Sequence, residues 1–293
     1  MSKFIVLWAL AAGLSLAATN VVILGTGTPR ADPERSGPSV AIVFRDKAYL
    51  FDSGPGVVRR AAGAAARLHI PALAMPYLQR VFLTHLHSDH TLGLPDLIFS
   101  PWVLRRTAPL EVYGPKGTKA MVDHIEAAWQ QDIDIRIHGL EHGNATGYRA
   151  NAHEIEAGVV FREDDLEISA IPVHHGSWPQ AFGYRIATPE RTIVVSGDCA
   201  PSPALVKACS GCDILLHEVY SMSELKAPRA GWPEYLHEFH TSTGELARIA
   251  AESKPKLLVL YHQLMGVSDS ELVSEVKTTS FTKVISAHDL DLF

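Results

Sequence analysis

Four side chains able to hold a metal ion stand within six residues, His85-Leu86-His87-Ser88-Asp89-His90, directly after the apolar run Arg80-Val81-Phe82-Leu83-Thr84. No single helical face presents all four. They belong instead on an irregular loop at the end of a strand, where they can surround a pair of ions. Neutral imidazole and carboxylate are ligands that Zn²⁺ takes at about 2.0–2.2 Å. A merely solvated loop needs polarity, not three His and an Asp. The chain has 15 histidines in 293 residues, and this cluster decides how the rest is read.

Strand-like runs at Asn20 to Leu24, Ala41 to Phe44, Ala48 to Phe51, Arg80 to Thr84 and Leu110 to Tyr113 fill the first half. Further runs fall at Glu167 to Val173, Phe182 to Ala187, Thr192 to Val195, Ile214 to Leu216 and Leu257 to Leu260. Helical spacing marks the stretch after Pro55 to Arg67, Gly117 to Gln131, Ala204 to Cys209, Thr243 to Ala251 and Asp269 to Lys277. Residues 132–163 have no clear period and read as a long excursion. No long linker or short repeat divides the chain, so two sheets covered by helices in one domain, residues 18–293, is the simplest packing solution.

The amino terminus is set apart. Met1-Ser2-Lys3, an apolar run from Phe4 to Leu16, and the small residues Ser15 and Ala17 predict a signal peptide over residues 1–17 and a periplasmic or secreted protein. No later run reaches the roughly 18 apolar residues of a membrane helix. The net charge is −6, and removal of residues 1–17 with their single Lys makes it −7. That sign weighs against a general nucleic-acid binder, whose affinity comes from neutralising phosphates. Cys209 and Cys212 have the spacing of a small-loop disulfide that leaves Cys199 alone, but the sequence favours three buried, unbonded cysteines.

The His-x-His-x-Asp-His string resembles that of the metallo-β-lactamase superfamily, and the resemblance extends from about Val21 to the C-terminus. Gly25-Thr26-Gly27-Thr28-Pro29 and Leu50-Phe51-Asp52-Ser53-Gly54 are similar to turns that family places upstream of its metal loop. The resemblance implies an αββα four-layer sandwich of two mixed sheets flanked by helices. It implies one zinc at His85, His87 and His175, a second at Asp89, His90 and His262, and Asp198 bridging them. Mn²⁺ or Fe²⁺ would suit the same ligands. Of the pair His174-His175, a Pro-x-x-His-Gly pattern selects His175, and alternation turns His174 away. Asp52 is expected to steady a His ligand from behind. The other histidines (69, 124, 138, 142, 153, 237 and 288) are expected at the surface or in structural roles.

Two further stretches resemble the ribonuclease Z and arylsulfatase branch: Asp213-Ile214-Leu215-Leu216-His217-Glu218 and Phe239-His240-Thr241-Ser242-Thr243. The resemblance implies a metal-bridging hydroxide oriented by Asp89 and a leaving oxygen protonated by His240, held by Glu218. That acid favours esters of phosphate or sulfate. The expectation is therefore an exported dinuclear zinc hydrolase of a phosphodiester or aryl sulfate, a small-molecule ester, with Trp178 walling an aryl group and a homodimer as the default assembly. A tRNA 3′-processing endoribonuclease is the first alternative. Against it, residues 135–165 hold three Arg and no Lys where a basic RNA-gripping arm would be needed. A β-lactam hydrolase and a non-catalytic metal sensor complete the alternatives.

Overall fold

The structure, a computed structural model, describes residues 19–226, 230–264, 266–277 and 281–293. The expected signal peptide lies outside them.

Two mixed sheets stack face to face, and strand alternation puts them there. The first sheet runs in chain order through β1 (Asn20–Gly25), β2 (Ser39–Phe44), β3 (Lys47–Phe51), β4 (Arg80–Phe82), β5 (Leu110–Gly114) and β6 (Ala150–Glu154). In β1, Val21 and Ile23 enter the core between the sheets while Val22 and Leu24 face the outer helices. β2 repeats the rule, with Val40, Ile42 and Phe44 inward and Ala41 and Val43 outward. Such two-sided apolar strands are what a sheet covered on both faces requires.

The second sheet has the order β13 (Val284–Ser286), β12 (Leu257–Leu264), β11 (Ile214–Tyr220), β10 (Thr192–Val195), β9 (Phe182–Ala187), β8 (Leu166–Pro172) and β7 (Gly158–Glu163). On the first sheet's outer face lie α1 (Val57–Arg67), the short α2 (Ser88–Thr91), α3 (Leu94–Val103), α4 (Thr118–Ala128) and α5 (Gln130–His138). On the second lie α6 (Pro203–Cys209), α8 (Thr243–Ser253) and α9 (Asp269–Val276), while α7 (Trp232–Phe239) sits beside the rim near His175. This is the four-layer αββα arrangement of the metallo-β-lactamase fold.

Residues 132–163 correct the sequence reading. They contain most of α5 and one outermost strand of each sheet, β6 and β7, so the chain crosses there from one sheet to the other. Their pattern is faint because these two edge strands are poorly covered: β6 reads Ala-Asn-Ala-His-Glu and buries none of its residues fully, and neither does β7. The expected helix at 117–131 likewise breaks at Trp129 into α4 and α5.

Cys209 and Cys212 are joined by a disulfide, and Cys199 is buried and free, which corrects the expectation of three unbonded thiols. The bridge closes the turn between α6 and β11, at the end of the sheet remote from the histidine loop. Buried Arg106 was not singled out in the sequence. Its guanidinium donates to the carbonyls of Leu78, Leu97, Ile98 and Gly147 at 2.7–2.9 Å and ties α3 to two loops.

Candidate metal centre

Each of the seven clustered side chains lies at or beyond the carboxyl-terminal end of a strand on the same rim. β4 runs into His85–His90, β8 into His175, β10 into Asp198, and β12 carries His262. The two sheets are tied at this rim: the Phe182 N–H donates to the Thr84 carbonyl at 2.9 Å, and the Tyr184 hydroxyl to that of Leu83 at 2.7 Å.

Two groups form. In one, His85 Nε2 and His175 Nε2 lie 2.9 and 3.1 Å from His87 Nδ1. In the other, His262 Nε2 is 3.2 Å and His90 Nε2 3.6 Å from Asp89 Oδ2. Asp198 sits between, its Oδ2 3.4 Å from His90 Nε2 and 3.5 Å from His262 Nε2, and it also clusters with His85 and with His175. The structure thus brings together all seven residues marked in the sequence, as His/Asp clusters typical of a dinuclear site. His174 turns outward to Glu238. None of the seven other histidines joins a cluster among the described residues.

These residues fit metal ions better than they fit one another. Three ring nitrogens aimed at a common point cannot all be satisfied by shared protons. Ligands bound tetrahedrally at about 2.05 Å stand about 3.3 Å apart, close to the spacing found here. His90 Nε2 and Asp198 Oδ1 are buried without a hydrogen-bond partner, a cost that an ion would remove. Protonation points the same way. Burial pushes His85 well below the ordinary imidazole value, lowers His87 and brings His175 to about 4, so all three offer lone pairs. Burial also disfavours charge on His90, but Asp198 and Asp52 outweigh it and hold that ring well above its usual value. A dication would take that proton's place.

Behind this layer stands Asp52. It accepts from His90 Nδ1 at 2.8 Å, and from the Thr84 N–H at 2.8 Å and hydroxyl at 2.9 Å. Thr84 Oγ1 in turn meets His85 Nδ1 at 2.9 Å. One carboxylate therefore orients a ring of each group. Asp52 and His262 both hold left-handed backbones (φ 61° and 43°), strain that rigid surroundings sustain at functional positions. Thr84 went unremarked in the sequence because a threonine at a strand end carries no pattern.

Glu218 is wholly buried on β11. Its Oε1 accepts the N–H groups of Thr241 (2.9 Å) and Cys199 (3.3 Å), while Oε2 faces His240 Nδ1 at 3.4 Å. Burial raises the Glu218 carboxyl; it also lowers His240, but Glu218 more than compensates and the imidazole ends above its usual value. Ser242 caps α8 through a capping box with Glu245, which fixes the chain just after His240. His240 Nε2 reaches the Tyr235 hydroxyl at 3.4 Å, a partner the sequence did not reveal.

A cavity of about 780 Å³ opens over the site, lined by His87, Asp89, Asp198, His240 and His262, and by Arg30, Arg35, Trp232 and Tyr235. Arg35 is held by Asp269 at 3.0 Å and by Gln263. Trp178 is not among the lining residues. Its indole N–H donates to His87 Nε2 at 2.8 Å, so it braces a ring of the cluster, and the aromatic side chains of the cavity are Trp232 and Tyr235.

Comparison with known proteins agrees with this geometry. A family model described as a beta-lactamase superfamily domain matches residues 47–263. The ribonuclease Z of Mycobacterium marinum is 32% identical over 250 residues, covering 84% of this chain and 87% of that protein. That of Mycobacterium bovis is 31% identical over 255 residues, covering 86% and 88%. Among solved structures, the metallo-beta-lactamase fold protein YhfI of Bacillus subtilis superposes with a TM-score of 0.69 at 19% identity, over 94% of this chain and 98% of its own. The short form of human tRNase Z gives 0.67 at 22%, over 94% and 98%.

Proposed function

The chain belongs to the metallo-β-lactamase superfamily and is a metal-dependent hydrolase, and from that premise we propose that it is a phosphodiesterase of the ribonuclease Z type. The Glu218–His240 pair carries this reading. A carboxylate fixed by two backbone N–H groups faces an imidazole that lines the cavity beside Asp198 and His262, the place for an acid that protonates a departing alkoxide. Acyl substrates with good leaving groups, β-lactams included, need no such acid. A non-catalytic sensor leaves the pair without work.

His85, His87 and His175 would hold one ion, Asp89, His90 and His262 the other, with Asp198 shared; zinc suits this His-rich set, and Mn²⁺ or Fe²⁺ are possible alternatives. When bound, two such ions supply water acidified to near-neutral pH and positive charge opposite the phosphoryl oxygens. Asp89 lines the cavity and accepts a hydrogen bond from the attacking water, orienting it. Arg30 and Arg35 bring charge to the ester anion. His240 donates its Nε2 proton to the leaving oxygen, and Glu218 stabilises the imidazolium before the transfer.

The names of the 31–32% identical relatives put the 3′ end of precursor tRNA first among substrates. A second reading, an exported enzyme for small phosphodiesters or aryl sulfates, has its own support. Residues 135–165 lack lysine, the net charge is −6, and the Cys209–Cys212 bridge suits an oxidising compartment such as the periplasm. One panel tests both on the metal-loaded protein: precursor tRNA with a 3′ trailer, bis(4-nitrophenyl) phosphate, 4-nitrophenyl sulfate and a cephalosporin. Cleavage of the phosphodiesters is expected. Turnover of the cephalosporin alone would overturn the phosphodiesterase reading, and phosphodiester or sulfate turnover without tRNA cleavage would select the exported small-ester enzyme.

A further inference from the structure

Three aromatic rings on α7 form a ladder that leads away from the metal cluster. Trp232, Tyr235 and Phe239 follow at helical spacing on one face. Trp232 and Tyr235 stack at 5.1 Å and 13°, and Tyr235 and Phe239 at 4.6 Å and 21°. The inner end is fixed. Phe239 stands edge-on to His175 at 5.1 Å and lies against Gly176, where any Cβ would collide with the ring and where φ is 52°. The outer end borders the cavity: Trp232 and Tyr235 are half-buried and line it, whereas Leu236 of the same helix is buried completely. The middle rung marks the direction, because the Tyr235 hydroxyl lies 3.4 Å from His240 Nε2.

We propose that this ladder is the leaving-group subsite, and that Trp232 selects esters whose departing alcohol carries a planar aromatic ring. The inference rests on His240 as the acid that protonates the leaving oxygen. An oxygen within reach of His240 Nε2 lies beside Tyr235, and what it carries extends along the cavity wall to Trp232. A flat π-face there rewards a flat partner, aryl or nucleobase, and offers a saturated ring only apolar contact. Trp232 determines specificity and takes no part in bond making.

The test compares the wild type, Trp232→Ala and Trp232→Phe on phenyl and cyclohexyl diesters of methyl phosphate, with the metal-loaded protein. Loss of one stacking platform predicts a roughly 10-fold fall in kcat/KM for the phenyl ester, mostly in KM, with less than about 2-fold change for the cyclohexyl ester and near-complete rescue by Phe. Equal losses on both esters, or none on either, would overturn the proposal. Calorimetric titration with phenylphosphonate and cyclohexylphosphonate, which do not turn over, gives a second readout. Wild type is expected to prefer the phenyl compound, and Trp232→Ala to bind both alike. If neither ester is cleaved, the phosphodiesterase reading is decided by the precursor tRNA and bis(4-nitrophenyl) phosphate of the earlier panel, and the phosphonates still decide the subsite: a phenyl preference lost in Trp232→Ala upholds it, and no preference in wild type removes it.

Discussion

The two sheets contribute to the same rim in unlike ways. The first supplies four side chains from one six-residue loop, with Asp52 behind them bonded to both Thr84 and His90. The second supplies one side chain at a time, His175, Asp198, Glu218 and His262, each from a different strand or the turn after it. A loop can keep its local shape when one member is lost. Single residues from separate strands have no such neighbours, so each depends on the register of the sheet. The difference teaches where damage should be local and where it should spread.

The largest effect is expected at Asp198, the residue nearest both groups. Asp198→Ala should lose bound metal and reduce turnover by more than the roughly 10- to 100-fold typical of outer partners. Metal content by mass spectrometry is the check, and two ions retained per chain would break the contrast between the sheets. His240→Ala comes next. It should slow alkyl esters by about 10²–10⁴-fold and nitrophenyl esters much less, with metal content unchanged. Equal losses on the two ester types would remove His240 from the acid role.

Asp52→Asn sharpens the comparison from the other side. Because the loop has local support, metal affinity should fall only about 10- to 100-fold, measured by competition with a chelator. A loss matching that of Asp198→Ala would mean the loop has no independence. The smallest effect is expected at the remote end of the second sheet. Cys212→Ser opens a very short loop, so stability should fall by about 2 kcal/mol or less in denaturant unfolding, with metal content unaltered.

Much of this was legible before folding. His85, His87, Asp89, His90, His175, Asp198 and His262, with Asp52, Glu218 and His240, were marked in the sequence and lie together at one rim. Strands with two apolar faces, such as β1 and β2, were visible as continuous runs. The misreadings share a cause. β6 and β7 are edge strands with a wet face, so burial imprints little pattern on them. The Cys209–Cys212 bond was misread because a three-residue separation allows both states, and the turn that brings the two Cα atoms to 4.7 Å decides between them. Trp178 and Trp232 illustrate the same limit. Both are tryptophans near site residues, yet one donates to His87 and the other lines the cavity.

The sequence by itself determined the ligand chemistry, because His and Asp advertise it by type and spacing, and it determined the two-sheet core, because apolar alternation must be buried. Only the tertiary structure placed Thr84 beside Asp52 behind the cluster and decided which aromatic residues face the cavity. Thr84 and Trp178 acquire their places from contacts with Asp52 and His87, 32 and 91 residues away in the chain, and a contact across such a separation leaves no periodic trace in the order of amino acids.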